Sequence, residues 1–110
     1  MWLANRGLTE QDISCWRITS EATGASAAVQ EGTKIPPGRA LRFATPTGML
    51  RSTDSVTLAD DRGHTIDHSP ELTDSAGDDQ LWYLLVGSPW QFGRGRLPET
   101  ATDGRLTAAC

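Results

Sequence analysis

At 110 residues and 11.9 kDa the chain has room for one domain with a two-layer core and little more. A net charge of −4 and a pI near 5.0 exclude a global positive field that would gather nucleic acid or an anionic membrane. With 37% hydrophobic residues, 11 Gly and 6 Pro, the composition favours short strands and frequent turns over long helices.

In chain order, residues 1–5 read as a strand cut at its start, and residues 6–11 as a loop. From Asp12 to Ile18 the side chains alternate, which predicts one strand with Ile13 and Cys15 on one face and Trp16 and Ile18 on the other. Ala25–Val29, bracketed by Gly24 and Gly32, reads as a further short strand. Pro36-Pro37-Gly38 predicts a reversal, because Pro fixes φ and Gly supplies a positive one; alternation over Arg39–Phe43 then predicts a strand. Thr45–Gly48 reads as a loop. Ser55–Ala59, the turn Asp60–Gly63 and His64–His68 form a predicted hairpin with Val56 and Leu58 inward. Residues 69–80 read as loop, Leu81–Val86 as a fully buried strand and Trp90–Phe92 as a last short strand. Residues 1–97 therefore make the domain, and 98–110 a flexible C-terminal tail. The expected class is all-β, a sandwich or partly open barrel, with Trp16, Leu58, Ile66, Trp82 and Leu84 in its core.

Several of these segments, in this order, resemble the lamin-tail domain, an immunoglobulin-like β-sandwich. They are Leu3-Ala4-Asn5-Arg6-Gly7; Asp12-Ile13-Ser14-Cys15-Trp16, with Cys15 where Gly is usual; Ile35-Pro36-Pro37-Gly38-Arg39-Ala40-Leu41; and the hairpin from Ser55 to Asp67. The match spans about residues 2–95 and rests on order and spacing, since no single motif is specific. The resemblance implies an Ig-like sandwich lacking its usual first strand, from a bacterial multidomain protein of the cell surface or exterior. It implies a non-catalytic binding or anchoring module with a protein partner. A bare sheet edge at Met1-Trp2, able to recruit a partner or a second copy, follows from the missing strand.

The two cysteines do not form a disulfide framework. Cys15 falls in a predicted core strand and Cys110 ends the chain, so a bridge requires the tail to fold back. The plainer reading is a small buried hydrophobe and a frayed terminal thiol. Met1–Asn5 shows neither the basic nor the apolar region of a signal peptide, and the longest apolar run, Leu81–Val86, is far short of the ~20 residues of a membrane-spanning helix.

Chemistry is sparse. On a regular strand His64, Ile66 and His68 share a face, and His64, His68 and Asp67 with Asp60, Asp61 or Cys15 offer zinc-ligand types. Their spacing fits no established zinc motif, and a solvent-facing hairpin strand carrying two His explains the same residues, so no metal site is expected. No Gly-x-Ser-x-Gly elbow supports nucleophilic catalysis, and the adjacent carboxylates lie in polar loops. No cofactor motif is present. Trp2 and Trp90, near the ends, are candidates for an apolar contact surface. Trp90, Arg94 and Arg96, interleaved with Gly, carry the alternative reading of a nucleic-acid-associated module.

Overall fold

The computed structural model describes residues 1–77, 82–86, 97–100, 103–108 and 110. Every regular element described is a strand: β1 Trp2–Asn5, β2 Gln11–Asp12, β3 Arg17–Ser20, β4 Ser26–Val29, β5 Lys34–Ile35, β6 Arg39–Arg42, β7 Thr53–Asp54, β8 Val56–Ala59, β9 Thr65–His68, β10 Leu72–Thr73, β11 Tyr83–Val86 and β12 Leu106–Thr107. The protein is all-β. A three-stranded sheet, β11-β1-β6, and a five-stranded sheet, β12-β4-β3-β8-β9, carry the fold, with small pairs β10-β7 and β2-β5 at its margins.

The strands bury one face each, as period-2 patterning requires. Leu3, Ile18, Val29, Val56, Leu58, Leu84 and Val86 are at most 1% exposed and form one core with Trp16, Ile35, Phe43 and Trp82. Leu81–Val86 is expected as fully buried, but its described part alternates: Trp82, Leu84 and Val86 are buried, Tyr83 and Leu85 only half-buried. One face of β11 meets the core and the other meets partial solvent, as in a half-buried strand. Ile66 is half-buried and packs against the core from its rim.

Three expectations change. First, β1 is no edge. It lies between β11, in parallel, and β6, antiparallel, with Leu3 opposite both Leu84 and Leu41. Met1 is buried beneath this pairing, where the Phe43 N–H donates to the Met1 carbonyl at 2.8 Å, and Trp2 is half-buried. The bare apolar edge read at Met1-Trp2 is absent.

Second, Asp12–Ile18 is not one strand. It breaks into β2 and β3 at a turn in which Trp16 N–H donates to the Ile13 carbonyl at 3.1 Å. Cys15, at φ +63°, is the non-glycine residue with positive φ among those described. Cys15 N–H donates to the Val29 carbonyl while Val29 N–H donates to that of Trp16, so two residues oppose one. This is a bulge whose first residue is left-handed, the place glycine usually fills. The break lets Ile13, Trp16 and Ile18 all reach the core, which straight alternation forbids.

Third, the region read as a tail is tied into the fold. Glu99 bridges to Ala40 and Gly104 to Phe43, both in parallel, and β12 pairs with β4. Residues 69–77, read as loop, also contribute β10, paired with β7.

The turns follow from the sequence. Gly38, at φ +73°, completes the Pro-Pro-Gly reversal, and its N–H donates to the Asn5 carbonyl at 2.8 Å. The β8–β9 hairpin closes through Gly63 N–H to the Asp60 carbonyl, 3.1 Å, as its composition predicts. Within that hairpin Leu58 pairs with Asp67 but Ala59 pairs with Thr65, so Ile66 is an extra residue in β9.

Candidate functional site

The residues with chemistry are distributed over four places, and in the first three side chains serve the backbone. The most connected is Asp54 on β7, which is 1% exposed. Its Oδ1 accepts the N–H groups of Ala22 (3.0 Å) and Ser55 (2.8 Å), and its Oδ2 accepts the Ser20 hydroxyl (2.5 Å) and the Arg51 N–H (3.1 Å). Its carbonyl accepts the Trp82 indole N–H at 3.2 Å. Burial pushes the carboxyl upward, but these bonds to the ionised form outweigh it and hold Asp54 below the usual carboxylate value. Asp54 therefore ties β3, the loop after it, β7 and the core tryptophan together. A cavity of about 150 Å³ adjoins it, lined by Glu21, Ala22, Thr53, Asp54, Ser55 and Glu71.

Asn5, fully buried at the end of β1, plays a similar part. Its Nδ2 donates to the carbonyls of Thr9 and Ile35, each at 2.9 Å, and its Oδ1 accepts Gly7 N–H at 2.9 Å. A polar side chain is tolerated there because it replaces the ladder bonds that the turn and the loop lack.

The histidine cluster does not assemble as a metal site. His64 Nδ1 lies 3.2 Å from Asp60 Oδ2, inside the hairpin turn, and His68 Nε2 lies 3.3 Å from Glu21 Oε2. Asp67 is engaged elsewhere: Oδ1 accepts His68 N–H, and Oδ2 accepts Leu85 N–H at 2.8 Å. The extra residue at Ile66 breaks the shared face assumed for a regular strand. Among the described residues no three His, Cys, Asp or Glu side chains converge to hold a metal ion. Burial raises the Asp60 carboxyl, but the N–H groups of His64 and Arg62 and the His64 ring prevail and hold it low. Asp12 is likewise held low, by the Ser14 hydroxyl and N–H and by Lys34, against a small opposing effect of burial.

The fourth place was not expected from sequence. Cys15 and Cys110 form a disulfide with a Cα–Cα distance of 5.5 Å, well inside the range such bonds require. The unpaired thiols expected from the sequence are not what the structure contains: the chain end folds back along β4 and delivers Cys110 to the bulge. Beside this end lies an open groove of about 390 Å³ whose wall includes Lys34, Leu41, Asp103 and Arg105.

Of the candidate contact residues, Trp90, Arg94 and Arg96 lie outside the described residues, and Trp2 sits half-buried in the middle strand of its sheet. Leu8, 92% exposed in the loop between β1 and β2, is the exposed large apolar side chain among the described residues. It stands alone in a polar loop, so hydrophobic patterning does not single it out. Asp54 escapes sequence reading as well. A Ser-Thr-Asp-Ser run looks like any turn, and only tertiary contact brings Ser20, Ala22 and Trp82 to it. No protein-family model, no curated protein and no solved structure matches this chain.

Proposed function

We propose that this chain is a non-catalytic binding or anchoring module, an Ig-like sandwich of lamin-tail type, working outside the reducing interior of the cell. The observation that carries the reading is the Cys15–Cys110 disulfide, which pairs the two cysteines of the sequence. Structural disulfides persist in oxidising compartments.

The lamin-tail reading is supported by what the resembling residues do. Asn5, Gly38 and Asp67 each hold a turn or a junction between sheets, and Cys15 occupies a left-handed position suited to the glycine usual in that family. The binding reading is supported by how the polar groups are used. Asp12, Asp54 and Asp60, the carboxyls held low, are all occupied by backbone N–H groups of their own turns or neighbours. The contact is assigned to the loops, whose exposed large apolar side chain among the described residues is Leu8.

Two measurements test this. Immobilised protein probed with cell-envelope and extracellular protein fractions should bind one component saturably, and Leu8→Asp should weaken that binding about tenfold. Titration of isotope-labelled protein with a single-stranded oligonucleotide should leave its spectrum unchanged. Oligonucleotide binding that falls steeply with salt and disappears in Arg94→Ala/Arg96→Ala would replace this reading with the nucleic-acid one.

A further inference from the structure

The C-terminal stretch that begins at Leu97 is fastened to the body by a series of small attachments. Leu97 N–H donates to the Tyr83 hydroxyl at 2.9 Å. Ala40 N–H donates to the Pro98 carbonyl, and Thr100 N–H donates to that of Ala40, each at 2.9 Å. Gly104 N–H donates to the Arg42 carbonyl at 2.8 Å, and Gln30 N–H to that of Arg105 at 3.0 Å. β12 then pairs with β4 over two residues, and Cys110 closes onto Cys15. This strap starts at β11, crosses the outer edge of β6 and ends along β4, joining the two main sheets.

Its seat is specific. A Cβ built at Gly104 would lie 2.2 to 2.8 Å from atoms of the Phe43 ring, so only glycine lets the strap lie against that buried ring. Its hold is nonetheless light. The longest pairings of the body, β1–β6, β1–β11 and β3–β8, run over four residues whereas β12–β4 runs over two, and among the described residues the strap adds Leu106 alone to the rim of the core. The bond that completes the attachment is accessible, since Cys110 is exposed and Cys15 half-buried. Exposed disulfides are the ones open to exchange. Cys15 also takes a backbone conformation that suits glycine better, and its bond to Cys110 is the one contact that accounts for a cysteine there.

We propose that Cys15–Cys110 is a releasable latch: a dithiol reductant opens it, and the strap then leaves β6 and β4 while the two-sheet body stays folded. A reductant thiolate attacks the exposed Cys110 sulfur, the S–S bond breaks, and Cys15 departs as a thiolate that takes a proton from water. The reductant's second thiolate then displaces Cys110 from the mixed disulfide, and Cys110 is protonated in turn. Two electrons pass to the protein, and the reductant ends as its own disulfide. Release uncovers the Phe43 ring and leaves Ala40 N–H, the Ala40 carbonyl and the Arg42 carbonyl without their strap partners. That is a strand-accepting edge, covered in the oxidised protein and bare in the reduced one. The inference rests on the strap alone and holds whichever ligand the module binds.

Hydrogen exchange of the full chain, with and without dithiothreitol, tests it. Amides bonded between strap and body (Ala40 and Gln30 of the body, Thr100 and Gly104 of the strap) should exchange at least about a hundredfold faster on reduction. Those of Trp2 and Phe43, bonded within the body to Trp82 and Met1, should change less than about threefold. Cys110→Ser should show the same pattern without reductant. Equal acceleration at all six amides would mean that the disulfide holds the whole fold. Unchanged exchange at all six would mean that the strap does not depend on it. Either result overturns the proposal.

Discussion

Replacing Asp54 by Asn removes one charge and changes almost no volume, so it isolates what the buried carboxylate does. Each Asp54 oxygen accepts two donors, Ala22 and Ser55 N–H on Oδ1, Ser20 Oγ and Arg51 N–H on Oδ2. An Asn NH₂ either faces the N–H groups of Ala22 and Ser55, or faces Arg51 N–H and the Ser20 hydroxyl, which must then turn and accept, so two bonds to the carboxylate go in either case. Two charge-assisted bonds are lost at about 1.5 kcal/mol each, the lower end of their range because the adjoining cavity admits water. The expected loss is about 3 kcal/mol, or about 12 °C in Tm for a domain of this size. Thermal unfolding followed by circular dichroism at pH 7 measures it. The pH dependence has a definite sign. Asp54 is held below the ordinary value of 3.8, so its contribution is full above that pH and is lost as the pH falls through the depressed native value. The gap between wild type and Asp54→Asn should therefore narrow below about pH 4, where the carboxyl of the unfolded chain begins to take its proton while the native one is still ionised. A Tm change under about 3 °C at pH 7, or a gap that is constant down to acid unfolding, would refute the reasoning.

Asn5→Ala removes three bonds in a fully buried site and should cost about 2–3 kcal/mol by urea denaturation, with an unchanged m-value. With the disulfide absent in both, Cys15→Gly should be more stable than Cys15→Ala by about 1 kcal/mol, because only glycine takes φ +63° without strain; equal stabilities would contradict the left-handed bulge. Asp67→Ala should speed exchange of the Leu85 amide at least about fivefold while leaving that of Val29 unchanged, since Asp67 holds β11 to β9 through that one N–H.

Much of the strand map is legible because it rests on local chemistry. Pro-Pro-Gly must turn, Asp60–Gly63 must close a hairpin, and Val56 and Leu58 alternate inward as written. What is not legible is what arrives from far away along the chain. Cys15 reads as a strand residue because alternation from Asp12 to Ile18 is intact, and only Val29 across the ladder shows that a bulge interrupts it. The residues after Pro98 are polar and small, which reads as tail, yet their backbone groups find the free edge of β6. Met1-Trp2 reads as an edge because strand order cannot be deduced from composition, and β11, some eighty residues later, pairs beside it. The histidines looked like a cluster on an ideal period-2 strand; one extra residue, Ile66, and two different carboxylate partners, Asp60 and Glu21, separate their roles.

The account turns on the bond that joins Cys110 to the bulge at Cys15. Peptide mapping of the native protein, alkylated without reduction, tests this most directly. The account predicts a single linked pair of peptides containing Cys15 and Cys110 and no alkylated cysteine. Recovery of both cysteines alkylated, from protein made in an oxidising compartment, would contradict it.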